Sequence, residues 1–235
     1  MNPLFQTKGL SKRFGGFVAL DDVSIAVSAG ERVGLIGPNG SGKSTFVGCA
    51  SGSLRNEAGE VWFRDGRVDG LSPHRRVRVG LVRSFQLPRP FRGLTVAENL
   101  RVPLFFANAR GGSEVIDEAL EFVGLADRRH AMPGDLTQVD LRKLDLARAS
   151  VAAPRLLFVD EAMAGLSHAE VDEILALLLR MNARGVAIVM IEHIMRAVTQ
   201  FSQRLVVLVA GRKVADGNPD EVLANADVQR AYLGE

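Results

Sequence analysis

Hydrophobic and polar positions fall into two kinds of block along the chain. Short apolar and β-branched runs at 4–7, 18–20, 23–27, 32–36, 60–63 and 81–85 predict strands. Stretches with apolar residues three and four apart predict helices. One is short, over 44–49. Thr95 and Glu98 make a capping-box pair that opens another over 96–107. Ser113 is placed to cap the next, in which Val115, Ala119, Leu120 and Val123 share a face, and Gly111-Gly112 separates the two. Ser167 and Glu170 form another capping box for a helix over 169–181, where Val171, Ile174, Leu175 and Leu178 recur at helical spacing. Strands at 156–159, 186–191 and 205–209 interleave with these helices. Strand–helix alternation of this kind predicts an α/β fold. The N-terminal part is mainly strand, and the helices over about 87–150 look like an insertion.

Composition narrows the picture. At 47% hydrophobic and 24% charged, the chain is neither disordered nor collagen-like. Its 29 basic and 27 acidic residues leave a net charge of +2, which gives no support for nucleic-acid binding. The single cysteine, Cys49, excludes an internal disulfide and a cysteine zinc site, and suits a reducing compartment. The first 14 residues lack the apolar core of a signal peptide. The longest apolar stretches, 186–191 and 205–210, fall well short of the ~20 residues of a membrane helix, so work at a membrane would need a partner. Arg75, Arg76 and Arg78 form a cationic run, expected on a solvated helix face, with lipid-headgroup contact the alternative. His74, His130 and His168 show no metal-site spacing.

Two segments carry chemistry. Gly37-Pro38-Asn39-Gly40-Ser41-Gly42-Lys43-Ser44-Thr45 fits G-x-x-x-x-G-K-[ST], between an apolar strand and a helix. Glycines let successive N–H groups turn inward on a phosphate, and the helix brings its positive end to the same anion. Lys43 adds a charge that reaches the β- and γ-phosphates, and the Ser44 hydroxyl suits Mg²⁺. The second segment is the apolar run 156–159, which ends on Asp160 and Glu161. Beside a phosphate loop, Asp160 can hold the Mg²⁺ hydration shell and Glu161 can polarise a water for in-line attack on the γ-phosphate.

With these motifs in place, the chain resembles the ATP-binding subunit of an ABC transporter over nearly its whole length. The resemblance implies a P-loop NTPase fold: a mixed-sheet core, an N-terminal antiparallel β subdomain and a helical subdomain inserted at about 87–150, all within one ATPase domain spanning 1–235. It implies ATP and Mg²⁺ as ligands. In Lys12-Arg13-Phe14-Gly15, Phe14 matches the aromatic that stacks on adenine, the alternative being a core phenylalanine. Gln86, in Arg83-Ser84-Phe85-Gln86, matches the loop glutamine that senses Mg²⁺ and the attacking water. His193 matches the switch histidine on the γ-phosphate, although a lone histidine after a strand is ordinarily structural. Ala164-Gly165-Leu166-Ser167 matches the loop that meets the opposite subunit. Phe14-Gly-Gly, Leu94-Thr-Val-Ala-Glu-Asn-Leu100, the Ala-Gly-Leu loop and the ending Asp227-Val-Gln-Arg-Ala-Tyr-Leu-Gly-Glu235 are most similar to the branched-chain amino-acid importers. A related lipopolysaccharide-export ATPase ends similarly, and urea or other small-solute importers of the same group also stay open.

The family's L-S-G-G-Q signature is here Leu136-Thr137-Gln138-Val139-Asp140. Thr137 keeps a hydroxyl for a γ-phosphate. Val139 stands for a glycine, adding bulk and disfavouring positive φ, and Asp140 adds negative charge. Since each ATP of the family lies between one subunit's phosphate loop and the other's signature, a heterodimer with a second, signature-competent ATPase is expected. Also implied are two transmembrane permease subunits, an extracytoplasmic solute-binding protein acting indirectly, and a place on the cytoplasmic face of the cell membrane. Leu87, Pro88, Phe91 and Leu94 are candidates to line the groove that receives the permeases, or else ordinary core. A non-hydrolytic nucleotide-binding scaffold is the rival from another class; Glu161 and His193 argue against it.

Overall fold

The computed structural model describes residues 2–84, 88–107 and 112–233. The chain runs through strands β1 (Phe5–Phe14), β2 (Phe17–Val23), β3 (Ala26–Val27) and β4 (Arg32–Ile36), helix α1 (Lys43–Ser51), strands β5 (Ala58–Phe63) and β6 (Gly66–Arg67), helix α2 (Pro73–Arg78) and strand β7 (Leu81–Arg83). Three helices follow: α3 (Val96–Phe106), α4 (Ser113–Val123) and α5 (Gln138–Ser150). Then come β8 (Leu156–Asp160), α6 (His168–Ala183), β9 (Ala187–Ile191), α7 (Met195–Phe201), β10 (Arg204–Val209), β11 (Arg212–Gly217), α8 (Pro219–Ala224) and α9 (Ala226–Leu233).

The strands form two sheets. One is antiparallel, in the order β2-β1-β5-β6 with β3 also on β1. The other runs β11-β10-β4-β9-β8-β7 and is parallel except for β11. Strands β8 and β9 are buried at every position, as parallel strands covered on both faces must be, and their apolar runs signal them plainly. Strand β11 is an exposed edge carrying Arg212, Lys213 and Asp216, so no apolar run announces it. The expected strand at 23–27 is two strands. Gly9 N–H donates to Ser24 Oγ at 2.9 Å and Thr7 N–H to Ile25 O at 2.8 Å, and these bonds bend the chain between β2 and β3.

Both predicted capping boxes are present, Thr95 with Glu98 and Ser167 with Glu170. Ser113 does not cap α4. Gly112 is the N-cap, and its N–H is taken by Glu114 Oε1 at 2.7 Å, so Ser113 lies inside the first turn. Helices α3, α4 and α5 share an apolar cluster through Val96, Leu100, Leu120, Val123 and Leu144. A second cluster ties the antiparallel sheet to α1 and β8, with Phe5 edge-to-face on Phe158 at 5.5 Å.

The arginine run departs from expectation at its middle member. Arg75 and Arg78 are exposed, but Arg76 is only 1% exposed. Its guanidinium donates to Cys49 O at 2.8 Å, Ala50 O at 2.6 Å, Leu71 O at 3.1 Å and Asp69 O at 3.2 Å. Cys49 and Ala50 lie in the last turn of α1, which has no basic residue of its own. Arg76 therefore satisfies carbonyls that a helix end leaves open and places a cation on the negative end of the dipole.

Candidate functional site

Strand order gathers the site. In the parallel sheet β4, β9, β8 and β7 are neighbours, so four loops leave the same edge, with strands about 4.8 Å apart. They are the glycine loop after β4, Glu192-His193 after β9, Asp160-Glu161 at the end of β8, and Ser84 after β7. Crevices beyond the carboxyl ends of such strands are where α/β sheets take ligands.

The glycine loop folds as its composition requires. Gly42, at φ +101°, is the N-cap of α1 and offers no side-chain cap, so the first N–H groups of the helix are left for an anion. A Cβ at Gly42 would sit 2.5 Å from Ala19 O, and one at Gly37 would sit 2.1 Å from Leu208 O. Lys43 Nζ donates to Gly37 O at 2.7 Å and Pro38 O at 3.0 Å, folding over the loop it serves. Burial lowers its pKa, opposed by the charges of Glu161 and Asp160, which places both carboxylates within electrostatic reach of the loop. Asn39, Gly40 and Ser44 are exposed, Pro38 and Thr45 half-buried, and Ser41 buried. Gly42→Ala adds both a clash and a left-handed alanine, a strain of about 1–3 kcal/mol. Affinity for a fluorescent ATP analogue is expected to fall roughly tenfold or more; wild-type affinity would show the loop to be looser than drawn.

Asp160 is 3% exposed and accepts from Arg83 Nη2 at 2.6 Å. Arg83 was legible only as a neighbour of Gln86. The pairing needs β7 and β8 side by side, which spacing alone does not reveal. Glu161 adopts φ +46°, a conformation that L residues rarely hold, with its N–H on Ile191 O at 2.9 Å. His193 is exposed at the end of β9, beside Glu192, which is buried. Burial raises the Glu192 pKa, opposed first by the hydrogen bond from Met163 N–H. For a divalent cation the donors at hand are oxygens, the Ser44 hydroxyl and the Asp160 carboxylate. No cluster of three His, Cys, Asp or Glu side chains lies among the described residues, so phosphate and water would have to complete the shell. That pattern fits Mg²⁺.

The remaining predicted residues spread outward. Phe14 is 48% exposed at the end of β1, with Lys12 Nζ 5.2 Å from its ring centre, so it is not a core phenylalanine. Thr137 caps α5, its Oγ1 accepting Asp140 N–H at 3.2 Å, which leaves its own O–H to donate elsewhere. Val139 corrects an expectation. It lies in the first turn of α5, is not among the residues at positive φ, and packs on the helical cluster, so no backbone strain falls on it. Lys143 Nζ lies 3.7 Å from the Asp140 carboxylate and closer, at 2.6 Å, to Glu173. Pro88 lines a cavity of about 650 Å³ with Met132, Pro133, Leu136 and Leu141, whereas Phe91 lies under the Arg148 guanidinium at 5.3 Å. Gln86 and Leu87 lie outside the described residues, as does the last part of the C-terminal ending. Among the described residues no helix is long and apolar enough to cross a membrane.

Comparison with known proteins agrees with this geometry. The family model described as ABC transporter matches residues 20–164, and one described as branched-chain amino acid ATP-binding cassette transporter matches 212–235. The chain is 38% identical over 251 residues to the high-affinity branched-chain amino acid transport ATP-binding protein LivG of Salmonella typhimurium, with 99% of this chain and 98% of that one covered. It is 34% identical over 251 residues, at the same coverage, to BraF of Pseudomonas aeruginosa, a protein of the same description. Among solved structures it superposes at a TM-score of 0.89 and 30% identity on a nucleotide-free ATP-binding cassette from an ABC transporter, covering 99% of this chain and 100% of the other. An ATP-binding cassette of an ABC transporter in its ADP conformation also gives 0.89 and 30%, with both chains fully covered. A glycine loop, an acidic strand tip and a histidine on one sheet edge, in a chain matched along its length by such relatives, have one explanation: the chain belongs to the ABC transporter family, as one of its ATP-hydrolysing cassettes.

Proposed function

We propose that this chain powers import of branched-chain amino acids or a similar small solute. The observation that carries this is the match of residues 212–235 to the branched-chain cassette description, since the cassette core alone does not discriminate among solutes. Adenine stacks on Phe14. The loop from Gly37 to Gly42, through every backbone N–H it has except at Pro38, and the start of α1 cradle the phosphates, with Lys43 and Thr45 beside them. Ser44, Asp160 and Gln86 would hold Mg²⁺, partly through water, and a bound ion would supply charge neutralisation at the phosphates. Glu161 orients and deprotonates the attacking water. The water oxygen bonds to the γ-phosphorus as the bond to the ADP oxygen breaks, and ADP leaves with the electron pair. His193 donates to the γ-phosphate, and Thr137 serves the nucleotide of the opposite subunit.

The assembly we infer is a heterodimer of two related ATPases on two permease subunits, at the cytoplasmic face of the membrane, supplied by an extracytoplasmic solute-binding protein. Support for the heterodimer is chemical. Gln138 and Val139 put side chains at the N-terminus of α5, where glycines would let a phosphate approach the N–H groups. Support for permease docking is the cavity lined by Pro88, Met132, Pro133, Leu136 and Leu141, an apolar surface on the helical segment. Affinity purification of the tagged chain from membrane extract tests the whole scheme. A second ATPase and two permeases are expected to co-purify, and the complex to transport leucine on addition of ATP. Recovery of this chain alone as the ATPase would remove the heterodimer, and recovery without any membrane protein would remove the transport reading.

A further inference from the structure

Two charged side chains that touch the loop after Glu161 are deeply buried: Glu192 is 1% exposed and Arg142 3%. They grip adjacent residues of one loop. Glu192 carboxylate oxygen Oε1 accepts Met163 N–H at 2.9 Å, and Arg142 Nη2 donates to Ala164 O at 3.4 Å. The same end of β9 also holds Glu161, through Ile191 O. Three consecutive residues therefore bear on the site: Ile191 on the Glu161 peptide, Glu192 on the Met163 peptide, and His193 itself. Glu192 Oε2 has no hydrogen-bond partner among the described residues, a cost seldom kept without a use. From the other side, Arg142 belongs to α5, the helix whose first turn Thr137 caps.

We propose that Glu192 and Arg142 are positioning residues that clamp the 162–166 loop between the switch strand and the signature helix. The clamp, which rests on the hydrolytic roles given above to Glu161 and His193, keeps those two side chains in fixed relation. It also delivers any displacement of α5 by the opposite subunit's nucleotide to this chain's own hydrolytic centre. Such coupling through a short chain of hydrogen bonds is demonstrated only by a double-mutant cycle.

The full-length chain offers a direct probe, because it has four histidines, His74, His130, His168 and His193, whose ring resonances are separable by NMR. Glu192→Leu is expected to shift the His193 resonance and leave the other three in place. In the purified transporter complex it is expected to lower kcat roughly ten- to hundredfold, with KM for ATP within about twofold, the signature of misplaced groups. Glu192→Gln keeps an acceptor for Met163 N–H and restores most of the rate. Arg142→Met lowers kcat likewise, and the double variant Glu192→Leu/Arg142→Met falls no further than the worse single. Should Glu192→Leu lose the native fold, Arg142→Met reads the same clamp from α5. An unmoved His193 resonance, multiplicative losses in the double variant, or a Glu192→Gln as slow as Glu192→Leu would each overturn the clamp. The resonances need no nucleotide, so they judge the clamp separately. A wild-type complex that failed to hydrolyse ATP would sink the ATPase roles whatever the spectra showed.

Discussion

Changing Glu161 to glutamine is expected to lower ATP turnover by the purified complex roughly 10²–10³-fold while ATP binding persists. The expectation comes from where the backbone puts the residue. Glu161 sits at φ +46° immediately after β8, with its N–H fixed on Ile191 O at 2.9 Å. Left-handed backbone at a non-glycine costs about 1–3 kcal/mol and persists where surrounding structure enforces it, often at functional sites. Glutamine has the same shape and inherits that placement, so it loses the ability to take a proton and little else. Binding should survive, because the phosphate cradle is made by α1 and the glycine loop. In the heterodimer proposed above, the partner's phosphate loop faces the signature carrying Val139, and the matching change in the partner ATPase is expected to spare most of the turnover. Single-turnover kinetics on both variants decide the point. If only the partner's change stops hydrolysis, the two sites have been assigned the wrong way round. If neither does, Glu161 has no part in the chemistry.

What could be foreseen of this molecule was whatever local chemistry dictates. The capping boxes at Thr95 and Ser167 act over three residues, and both form. The phosphate loop and the tip of β8 are continuous segments whose residue types are tied to their task. Their convergence follows once β4, β9 and β8 are adjacent, which buried parallel strands between helices make the natural arrangement. Elements whose partners are distant escaped. Strand β11 exists because β10 offers it a ladder, and its own residues are those of a solvated loop. Arg83 looks like a surface charge until β8 brings Asp160 beside it, 77 positions away. Glu192 sits next to a conspicuous histidine, yet its use depends on Met163, 29 positions earlier. Val139 was weighed by residue type, whereas the helical path of α5 removes the strain charged to it and leaves only bulk. Polar residues that work through burial carry no periodic signal, because a buried arginine and a solvated one are spelled alike.

Arg76 is the sharpest case, and Arg76→Leu is expected to destabilise the chain by about 3–5 kcal/mol, the scale of two or three buried acceptors left without a donor. Leucine fills part of the volume but donates nothing. The carbonyls of Cys49, Ala50, Leu71 and Asp69 would lose their guanidinium donor, and each acceptor left unpaired away from water costs about 1–3 kcal/mol. For a chain of this size the loss corresponds to a fall in melting temperature of roughly 10 °C. Arg75→Leu, one position away and exposed, is expected to stay within about 0.5 kcal/mol of wild type. Arg76→Lys should recover little, because a single ammonium cannot reach four carbonyls in a fork. Gly52→Ala approaches the same contact from the other side: Gly52 is the C-cap of α1 at φ +83°, and an added Cβ would lie 2.7 Å from Arg76 Nε. The damage should also reach the nucleotide, since α1 is short and its far end presents the N–H groups proposed to bind phosphate, so ATP affinity is expected to drop together with the melting temperature. Calorimetry on Arg76→Leu and Arg75→Leu side by side settles it. Equal melting temperatures would mean that these carbonyls find other donors and that the end of α1 does not depend on α2.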